Sequence, residues 1–178
     1  PLFFIEYKKP TNKKYKFDLF FVGTEHSSRF KKILKIVKFS KSNYVKFYFQ
    51  AKWFFYLKVF FGLISLKYKN LFTLKKIPYD EYIFNLSNSK CVIDFAHPSQ
   101  TGLTMRTIES VGLSKKIITD NQNIKNYSFY NSENIFILTD GYKDDDLIKF
   151  IKTDIQQYPN VKNYSIDSWL KTIFHNVI

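Results

Sequence analysis

The chain has 178 residues, 45% hydrophobic and 20% aromatic, which suits a single domain with a full core and excludes a disordered chain. Its one cysteine, Cys91, excludes a disulfide framework and a cysteine-rich metal site. The net charge of +13 is compatible with a polyanionic partner and equally with a solvated basic surface.

The positive charge is concentrated in the first half of the chain. Residues 1 to 76 hold 18 Lys and Arg against 3 Asp and Glu, whereas residues 77 to 178 hold 10 against 12. Such a half is able to attract nucleic acid, anionic lipid or a phosphorylated ligand. No apolar run reaches about 18 residues, so we expect no membrane span. Because the chain begins at Pro1, we expect it to be a piece of a longer protein.

The first half contains two predicted strands and one predicted helix. An apolar run, Phe17 to Val22, ends at Gly23 and predicts a strand. The next strand is predicted from Tyr44 to Ala51. The aromatic segment "KWFFYLKVFFGLISLKYK" is either a core helix or a surface that touches lipid. The helix between the strands is predicted from apolar residues at helical spacing behind a serine cap: Phe30, Ile33, Leu34 and Val37 after Ser27 or Ser28.

The second half alternates helices and strands. "PYDEYIFNLSNS" predicts a short helix starting near Pro78, and "CVIDFA" predicts a strand that is buried on both faces. A helix from Thr104 to Leu113 precedes strands in "KKIITD" and "NIFILTD". "DDDLIKFIKTDI" predicts a helix whose acidic start suits the helix dipole. "SIDSWLKTIF" predicts a closing helix that packs Trp169, Ile173 and Phe174 on the body.

This alternation predicts an α/β fold with a doubly wound parallel sheet in one domain. Ligands of such sheets bind outside the carboxyl ends of the strands. Two predicted junctions there carry polar residues, "VGTEHSSR" and "HPSQTGLTMRTIE". The candidate site therefore lies at these two junctions.

The second junction predicts an anion site. Gly102 lets a ligand approach the backbone, and the amides of Leu103 and Thr104 begin a helix, where hydrogen bonds and the dipole favour an anion. Glu109, more than one turn into this helix, is placed to accept hydrogen bonds from sugar hydroxyls. In the alternative, these residues have structural roles only. Glu109 is then a solvated helix residue, Thr104 a helix cap and Gly102 a turn residue.

Several other polar residues are candidates for a chemical role. Arg106 and Arg29 would balance the charge of a diphosphate, with plain surface charges as the alternative. His97 is the one candidate catalytic residue, with a loop role as its alternative. His26 beside Ser27 lacks the spacing of a nucleophile elbow. The three histidines of the chain are scattered and predict no metal site.

The run "VIDFAHPSQTGLTMRTIESVGLSKKIITDNQNIKNYSFYNSENIFILTD" closely resembles the carboxyl-terminal half of bacterial glycosyltransferases of the GT-B type, in the group for capsule and lipopolysaccharide synthesis. "FDLFFVGTEHSSR" resembles the first strand of that half, and "YSIDSWLKTIF" its closing helix. The resemblance covers nearly the whole chain and is weakest from Phe47 to Lys76. It implies one Rossmann-like GT-B half-domain, residues 17 to 178, after a linker remnant, residues 1 to 16.

The resemblance implies a domain that binds a nucleotide sugar, whose sugar is transferred to a glycan or lipid-linked acceptor. In this family a glutamate of the helix after the glycine-containing loop binds the ribose, a role that falls to Glu109. The other implied contacts are the diphosphate at Gly102, Leu103 and Thr104, the base at Ile77, Pro78 and Tyr79, the phosphates again at Gly23, Thr24 and Arg29, and the cleft lining at His97, Gln100 and Thr101.

The amino-terminal, acceptor-binding domain of the family does not fit in this length, so we expect donor binding with little transfer by this chain alone. No metal or cofactor is required, since arginines and helix-start amides would stabilise the departing diphosphate. A cytoplasmic location is expected, and peripheral binding to an anionic membrane at its inner face is compatible with it. The alternatives are a nucleic-acid-binding module that stacks bases on "YVKFYFQAKWFFY" and a membrane-surface module without catalysis. We expect no nucleic-acid partner.

Overall fold

The computed structural model describes residues 3–6, 14–25, 29–49, 51–95 and 102–175. Within these ranges the chain forms one six-stranded sheet, all of whose strands are parallel. Helices pack on both of its faces. The predicted α/β, doubly wound, Rossmann-like fold is thereby confirmed.

The helices and strands alternate along the chain. The strands are β1 (Phe17–Thr24), β2 (Asn43–Tyr48), β3 (Phe72–Thr73), β4 (Ser89–Asp94), β5 (Lys116–Thr119) and β6 (Ile135–Ile137). The α-helices are α1 (Arg29–Val37), α2 (Lys52–Phe60), α3 (Tyr79–Ser87), α4 (Met105–Gly112), α5 (Asp144–Lys152) and α6 (Ile166–His175). Short 3-10 helices cover Leu66–Leu71, Gln122–Asn126 and Val161–Tyr164.

The strand order is β3-β2-β1-β4-β5-β6, so the order reverses between β1 and β4. The chain moves outward from β1 in one direction through β2 and β3, and then in the other direction through β4. In open parallel sheets this reversal leaves a crevice outside the carboxyl ends of the two central strands, where ligands bind. The crevice here lies beyond Thr24 and Asp94, the last residues of β1 and β4.

The central strands β1 and β4 are buried on both faces because consecutive residues in each are apolar. In β1, Leu19 and Phe21 pack in the cluster that includes α1 and α5, while Phe20 packs on the opposite face with Leu86 and Val92. Successive side chains of a strand point to opposite faces, so an uninterrupted apolar run supplies both layers. This pattern fixes β1 and β4 as the central strands and places their polar ends in the crevice.

The structure decides between the two alternatives for α2 and corrects part of the prediction for α6. Only Phe55 of α2 is buried, so the alternative of a core helix for this segment is wrong. In α6, Trp169 stacks on Phe3 with 4.9 Å between ring centroids, as expected of a packed side chain. Ile173 and Phe174 are exposed instead of packed on the body. Helical spacing gives a shared face but does not say whether a partner layer covers it.

The first described segment is attached to the body. The Phe4 amide donates to the Tyr164 carbonyl at 2.9 Å, and the Ile166 amide donates to the Phe4 carbonyl at 3.0 Å. Phe4 is buried in the cluster that contains Ile108 and Val111 of α4. The domain boundary after residue 16 stays a prediction. Across the described ranges, no helix combines the length and apolar character that crossing a bilayer would require.

Candidate ligand-binding site

A cavity of about 570 Å³ opens at the carboxyl end of the sheet, beside the crevice between β1 and β4. Its walls come from the ends of β1, β2 and β3, the segment before α3, and the first turns of α3 and α4. Its polar lining includes Thr24, Lys75, Lys76, Tyr79, Tyr82 and Glu109. This volume lies within the range of small-molecule and cofactor sites.

Glu109 is the carboxylate of this cavity. The residue is buried, and its two carboxylate oxygens accept hydrogen bonds from the Tyr79 hydroxyl at 2.7 Å and the Tyr82 hydroxyl at 2.8 Å. Each carboxylate oxygen has two lone-pair directions, so the two tyrosines leave acceptor capacity for a ligand. The side chain is therefore held in one orientation and still able to bind hydroxyl groups.

The two tyrosines meet Glu109 because they lie three residues apart on α3 and so share one face of that helix. The Tyr82 ring packs edge-on against Phe20 of β1, with 5.4 Å between centroids. Leu86 of the same helix is fully buried in that cluster. Packing on the sheet thus fixes α3, and α3 fixes the hydrogen bonds to Glu109.

The environment of Tyr82 raises the pKa of its hydroxyl well above the ordinary value. Burial is the main cause, and the Glu109 carboxylate adds to it, while the Arg106 guanidinium opposes it. The neutral hydroxyl is therefore the form that the folded protein retains. Its proton is donated to Glu109.

This shift predicts how stability depends on alkaline pH. The Tyr82 contribution is complete below about pH 10, the unfolded pKa, and is lost as the pH rises towards the higher folded pKa. Between these two pKa values, the loss of the Tyr82 contribution lowers the free energy of unfolding by at most about 1.4 kcal/mol per pH unit. We expect Tyr82→Phe to remove this part of the slope. Urea unfolding in steps above about pH 10 measures it, and an unchanged slope would contradict the prediction.

Asp94, at the end of β4, joins the crevice to the start of α4. Its carboxylate accepts from the Arg106 guanidinium at 2.9 Å, from the Thr104 hydroxyl at 2.8 and 2.9 Å, and from the Thr107 hydroxyl. Thr104 is the N-cap of α4, and its hydroxyl oxygen accepts from the Thr107 amide at 3.2 Å. The strand end and the helix start are therefore held together by a buried, charged network.

Two guanidinium groups lie next to Gly23 near the end of β1. A Cβ atom at this position would lie 3.2 Å from Arg106 Nη2 and 3.6 Å from Arg29 Nη1. Arg106 Nη2 donates to the Val22 carbonyl at 2.6 Å, and Arg29 Nη1 donates to the Thr24 carbonyl at 3.1 Å. Burial, followed by repulsion from Arg106, lowers the Arg29 pKa. The nearest atom to such a Cβ would be Phe21 Cζ at 2.9 Å, so Phe21 and Arg106 leave little room for a side chain at this position.

The outer wall of the cavity is basic. Lys46, Lys75 and Lys76 line it together with Tyr48 and Ile77. Lys46 Nζ donates to the Asn70 carbonyl at 3.0 Å, and the lysines at 75 and 76 are exposed. Among the described residues, neither Lys75 nor Lys76 forms an ion pair. The cavity thus combines a hydroxyl acceptor, Glu109, with a positive rim.

The structure brings together a first group of the residues predicted for the site. Gly23, Thr24, Ile77, Tyr79, Thr104, Arg106 and Glu109 line the same cavity, and Pro78 is the N-cap of α3 beside it. Their roles as nucleotide ligands stay predictions. Arg106 is already paired with Asp94, and within the described residues its buried Nε has no hydrogen-bond partner.

A second group lies elsewhere. Arg29 is buried behind Gly23 and does not line the cavity. Leu103 is buried in the core beside α4. Because α4 begins at Met105, the first-turn amides that lack an intrahelical acceptor are those of Thr104, Met105 and Arg106. A Cβ at Gly102 would meet nothing within 4 Å. His97, Gln100 and Thr101 lie outside the described residues, as do His26, Ser27 and Ser28.

Sequence reasoning missed the residues that hold the site together. Asp94 is an acidic residue at the end of a strand predicted to be buried, which was a signal for a paired charge. Tyr82 was missed, and Tyr79 was predicted to contact a base and not Glu109. Their spacing of three residues in a predicted helix was a signal for a shared face. Apart from their charge, nothing in the sequence marked Lys75 and Lys76 as site residues. They follow β3, and only the folded chain brings that segment close to α4.

Of the eight aromatic residues in "YVKFYFQAKWFFY", three are buried, whereas Trp53, Phe54 and Tyr56 are exposed. Phe47, Phe49 and Phe55 are buried in the main core cluster. Phe47 and Phe49 each pack against Phe72, with ring centroids 5.5 and 4.9 Å apart. Their ring faces are covered by neighbours and are closed to nucleic-acid bases.

Comparison of the chain with protein-family models, with curated proteins and with solved structures gave no match. The class that the fold and the cavity define is a Rossmann-like α/β protein with a candidate site at its topological switch point. In the described ranges, no three His, Cys, Asp or Glu side chains cluster as metal ligands. The expectation that the site requires no metal stays a prediction.

Proposed function

We propose that this chain is the nucleotide-sugar-binding domain of a glycosyltransferase that acts in surface polysaccharide biosynthesis, of the capsule or lipopolysaccharide type. The observation that carries the proposal is the Glu109 carboxylate, fixed by two tyrosine hydroxyls inside a cavity with a basic rim. A nucleotide sugar presents the complementary groups, since it carries vicinal hydroxyls and a diphosphate.

The ribose is assigned to Glu109. Carboxylates accept strong, charge-assisted hydrogen bonds from hydroxyls. Tyr79 and Tyr82 orient the carboxylate before a ligand arrives, so binding does not have to order it. An acidic residue that faces the crevice of a Rossmann-like fold has the chemistry to bind a ribose hydroxyl.

The diphosphate is assigned to the start of α4 and the basic rim of the cavity. The first-turn amides of Met105 and Arg106 have no intrahelical acceptors and lie at the positive end of the helix dipole. Lys75 and Lys76 add positive charge at the rim. Arg106 contributes through its pairing with Asp94, which fixes the helix start, and less as a free cation.

The transfer step follows from these positions. As the glycosidic bond to the diphosphate breaks, negative charge grows on the leaving oxygen, and helix-start amides and lysines would stabilise it electrostatically. The assignment to a glycosyltransferase rests on the resemblance of residues 92–140 to GT-B enzymes. That resemblance assigns acceptor binding to a separate amino-terminal domain, so we propose that donor binding is this chain's own contribution.

Thermal stability in the presence of a ligand panel tests the proposal. We expect nucleoside diphosphates and nucleotide sugars to raise the melting temperature, because a ligand that binds only the folded chain stabilises it. Inorganic phosphate at the same concentration is expected to do so weakly. Lys75→Gln and Lys76→Gln should each weaken binding by about fivefold, roughly 1 kcal/mol for a charge in water.

Lys162→Gln is the matched control, because it removes an exposed lysine that does not line the cavity. We expect its ligand-dependent shift to equal that of the wild type. If the ligand-dependent shift in melting temperature were equal for all three lysine variants, the basic rim would not contribute to ligand binding. The absence of a shift with every nucleotide in the panel would overturn the proposed function.

A further inference from the structure

Helix α2 turns its apolar side towards solvent. Trp53, Tyr56, Leu57 and Phe60 recur at the spacing of one helix face, and all four are exposed, Phe60 at 83% and Trp53 at 67%. In a globular protein such a stripe normally faces the core. Only Phe55, on the other side of the helix, is buried. The arrangement is the reverse of an ordinary surface helix.

The exposed apolar surface continues past the end of α2. Phe61, Leu63 and Leu66 follow in the chain and are exposed as well. With the four α2 residues and Phe54 they make eight of the seventeen large hydrophobic residues that are exposed in the described part of the chain. Single exposed apolar residues need no explanation, but such a concentration indicates an interaction surface. We call these eight residues the aromatic face.

Lysines flank the aromatic face, and the Glu25 carboxylate that contacts α2 is 4% exposed and ion-paired with Lys58. Between Glu25 and Asp80 the sequence contains thirteen Lys and Arg and no acidic residue. Lys52, Lys67 and Lys69 are exposed beside the face, and Lys69 Nζ lies 6.0 Å from the centre of the Tyr56 ring. A partner that covers this face must therefore be apolar inside and anionic at its edge.

We propose that the aromatic face docks on the surface of an anionic lipid bilayer, with its apolar side chains at the level of the headgroups and its lysines against lipid phosphates. Trp and Tyr favour this interface, and anionic lipids attract adjacent lysines. A second copy of the chain would bring the same positive charge to the contact. Nucleic acid would leave Leu57, Leu63 and Leu66 without stacking partners. This inference does not depend on the proposed nucleotide site.

Co-sedimentation of the chain with vesicles tests the docking surface. We expect it to pellet with phosphatidylcholine vesicles that contain about one third phosphatidylglycerol, and at least about fivefold less with pure phosphatidylcholine. The double variant Phe60→Ser/Phe61→Ser should weaken vesicle binding by more than about tenfold. Lys67→Gln and Lys69→Gln should each weaken it by about fivefold. These side chains are exposed, so the variants are expected to fold.

Phe84→Ser is the matched control, because Phe84 is 59% exposed on α3, outside the aromatic face. Its vesicle binding should equal that of the wild type. A second readout uses Trp169→Phe, which leaves Trp53 as the only tryptophan, and anionic vesicles should shift its emission to shorter wavelength. Three results would overturn the proposal: no pelleting with either vesicle, equal pelleting of the wild type and the double variant, or a dimer in solution that the double variant dissociates.

Discussion

Replacement of Asp94 by alanine is expected to lower the free energy of unfolding by about 3–5 kcal/mol. The Asp94 side chain is 4% exposed and that of its partner Arg106 is 15% exposed, so the pair is shielded from water. The variant leaves a guanidinium without its counter-ion and removes the acceptor of the Thr104 and Thr107 hydroxyls. Buried donors that lose their acceptor keep the full cost of desolvation. Urea unfolding monitored by circular dichroism measures the change.

The exposed ion pair of Lys32 and Asp120 provides the comparison. Its nitrogen and oxygen are 3.0 Å apart, but the two side chains are 53% and 28% exposed. Ion pairs in such surroundings contribute little, so we expect Lys32→Ala to cost less than about 1 kcal/mol. If Asp94→Ala cost no more than Lys32→Ala, the network at the start of α4 would not be a stabilising element of the crevice.

Glu109→Gln is expected to weaken nucleotide binding by about tenfold to a hundredfold, the equivalent of about 1.5–3 kcal/mol for charge-assisted hydrogen bonds. Glutamine has nearly the same shape and keeps hydrogen-bonding groups next to Tyr79 and Tyr82, so the fold is expected to be preserved. The variant removes the charge and one of the two acceptor oxygens. Isothermal titration calorimetry with the nucleoside diphosphate that stabilises the chain most gives the affinity.

Glu81→Gln is the matched control for this prediction. Glu81 also accepts a hydrogen bond from a tyrosine hydroxyl, that of Tyr44 at 2.9 Å, but it is exposed and does not line the cavity. Partial burial and, to a lesser degree, this contact raise the pKa of the Tyr44 hydroxyl to about 12. We expect nucleotide affinity to be unchanged in Glu81→Gln. An equal loss in the two variants would point to a general charge effect.

The layers of the fold were predictable because a strand that is covered on both faces of the sheet shows a continuous apolar run in the sequence. Both β1 and β4 have such a run. The two-residue strand β3 was missed because two residues carry no periodicity. Helix α2 was ambiguous because apolar residues fall on more than one of its faces. Only the packing shows that Phe55 and Val59 contact the core while the opposite face is exposed. Helix α6 shows the same limit, since Phe174 has the spacing of a packed residue and is exposed.

The position of the candidate site was predictable from the sequence, but its hydrogen bonds and ion pairs were not. The carboxyl ends of β1 and β4 were identified from the alternation of strands and helices, and Glu109 does line the cavity there. Arg106 was interpreted as a free cation because its counter-ion, Asp94, lies twelve residues earlier on another element. Sequence spacing shows neighbours on one helix, whereas the pairing of a strand end with a helix depends on the folded chain.

The most direct test of the central claim compares a ribonucleoside diphosphate with its 2′,3′-dideoxy analogue, on the wild type and on Glu109→Gln. If Glu109 accepts hydrogen bonds from the ribose, loss of the two hydroxyls should weaken binding to the wild type by at least about tenfold. The same loss should have little effect on Glu109→Gln, because the interacting carboxylate is already absent. An equal effect of the missing hydroxyls on the two proteins would contradict the assignment of the ribose to Glu109.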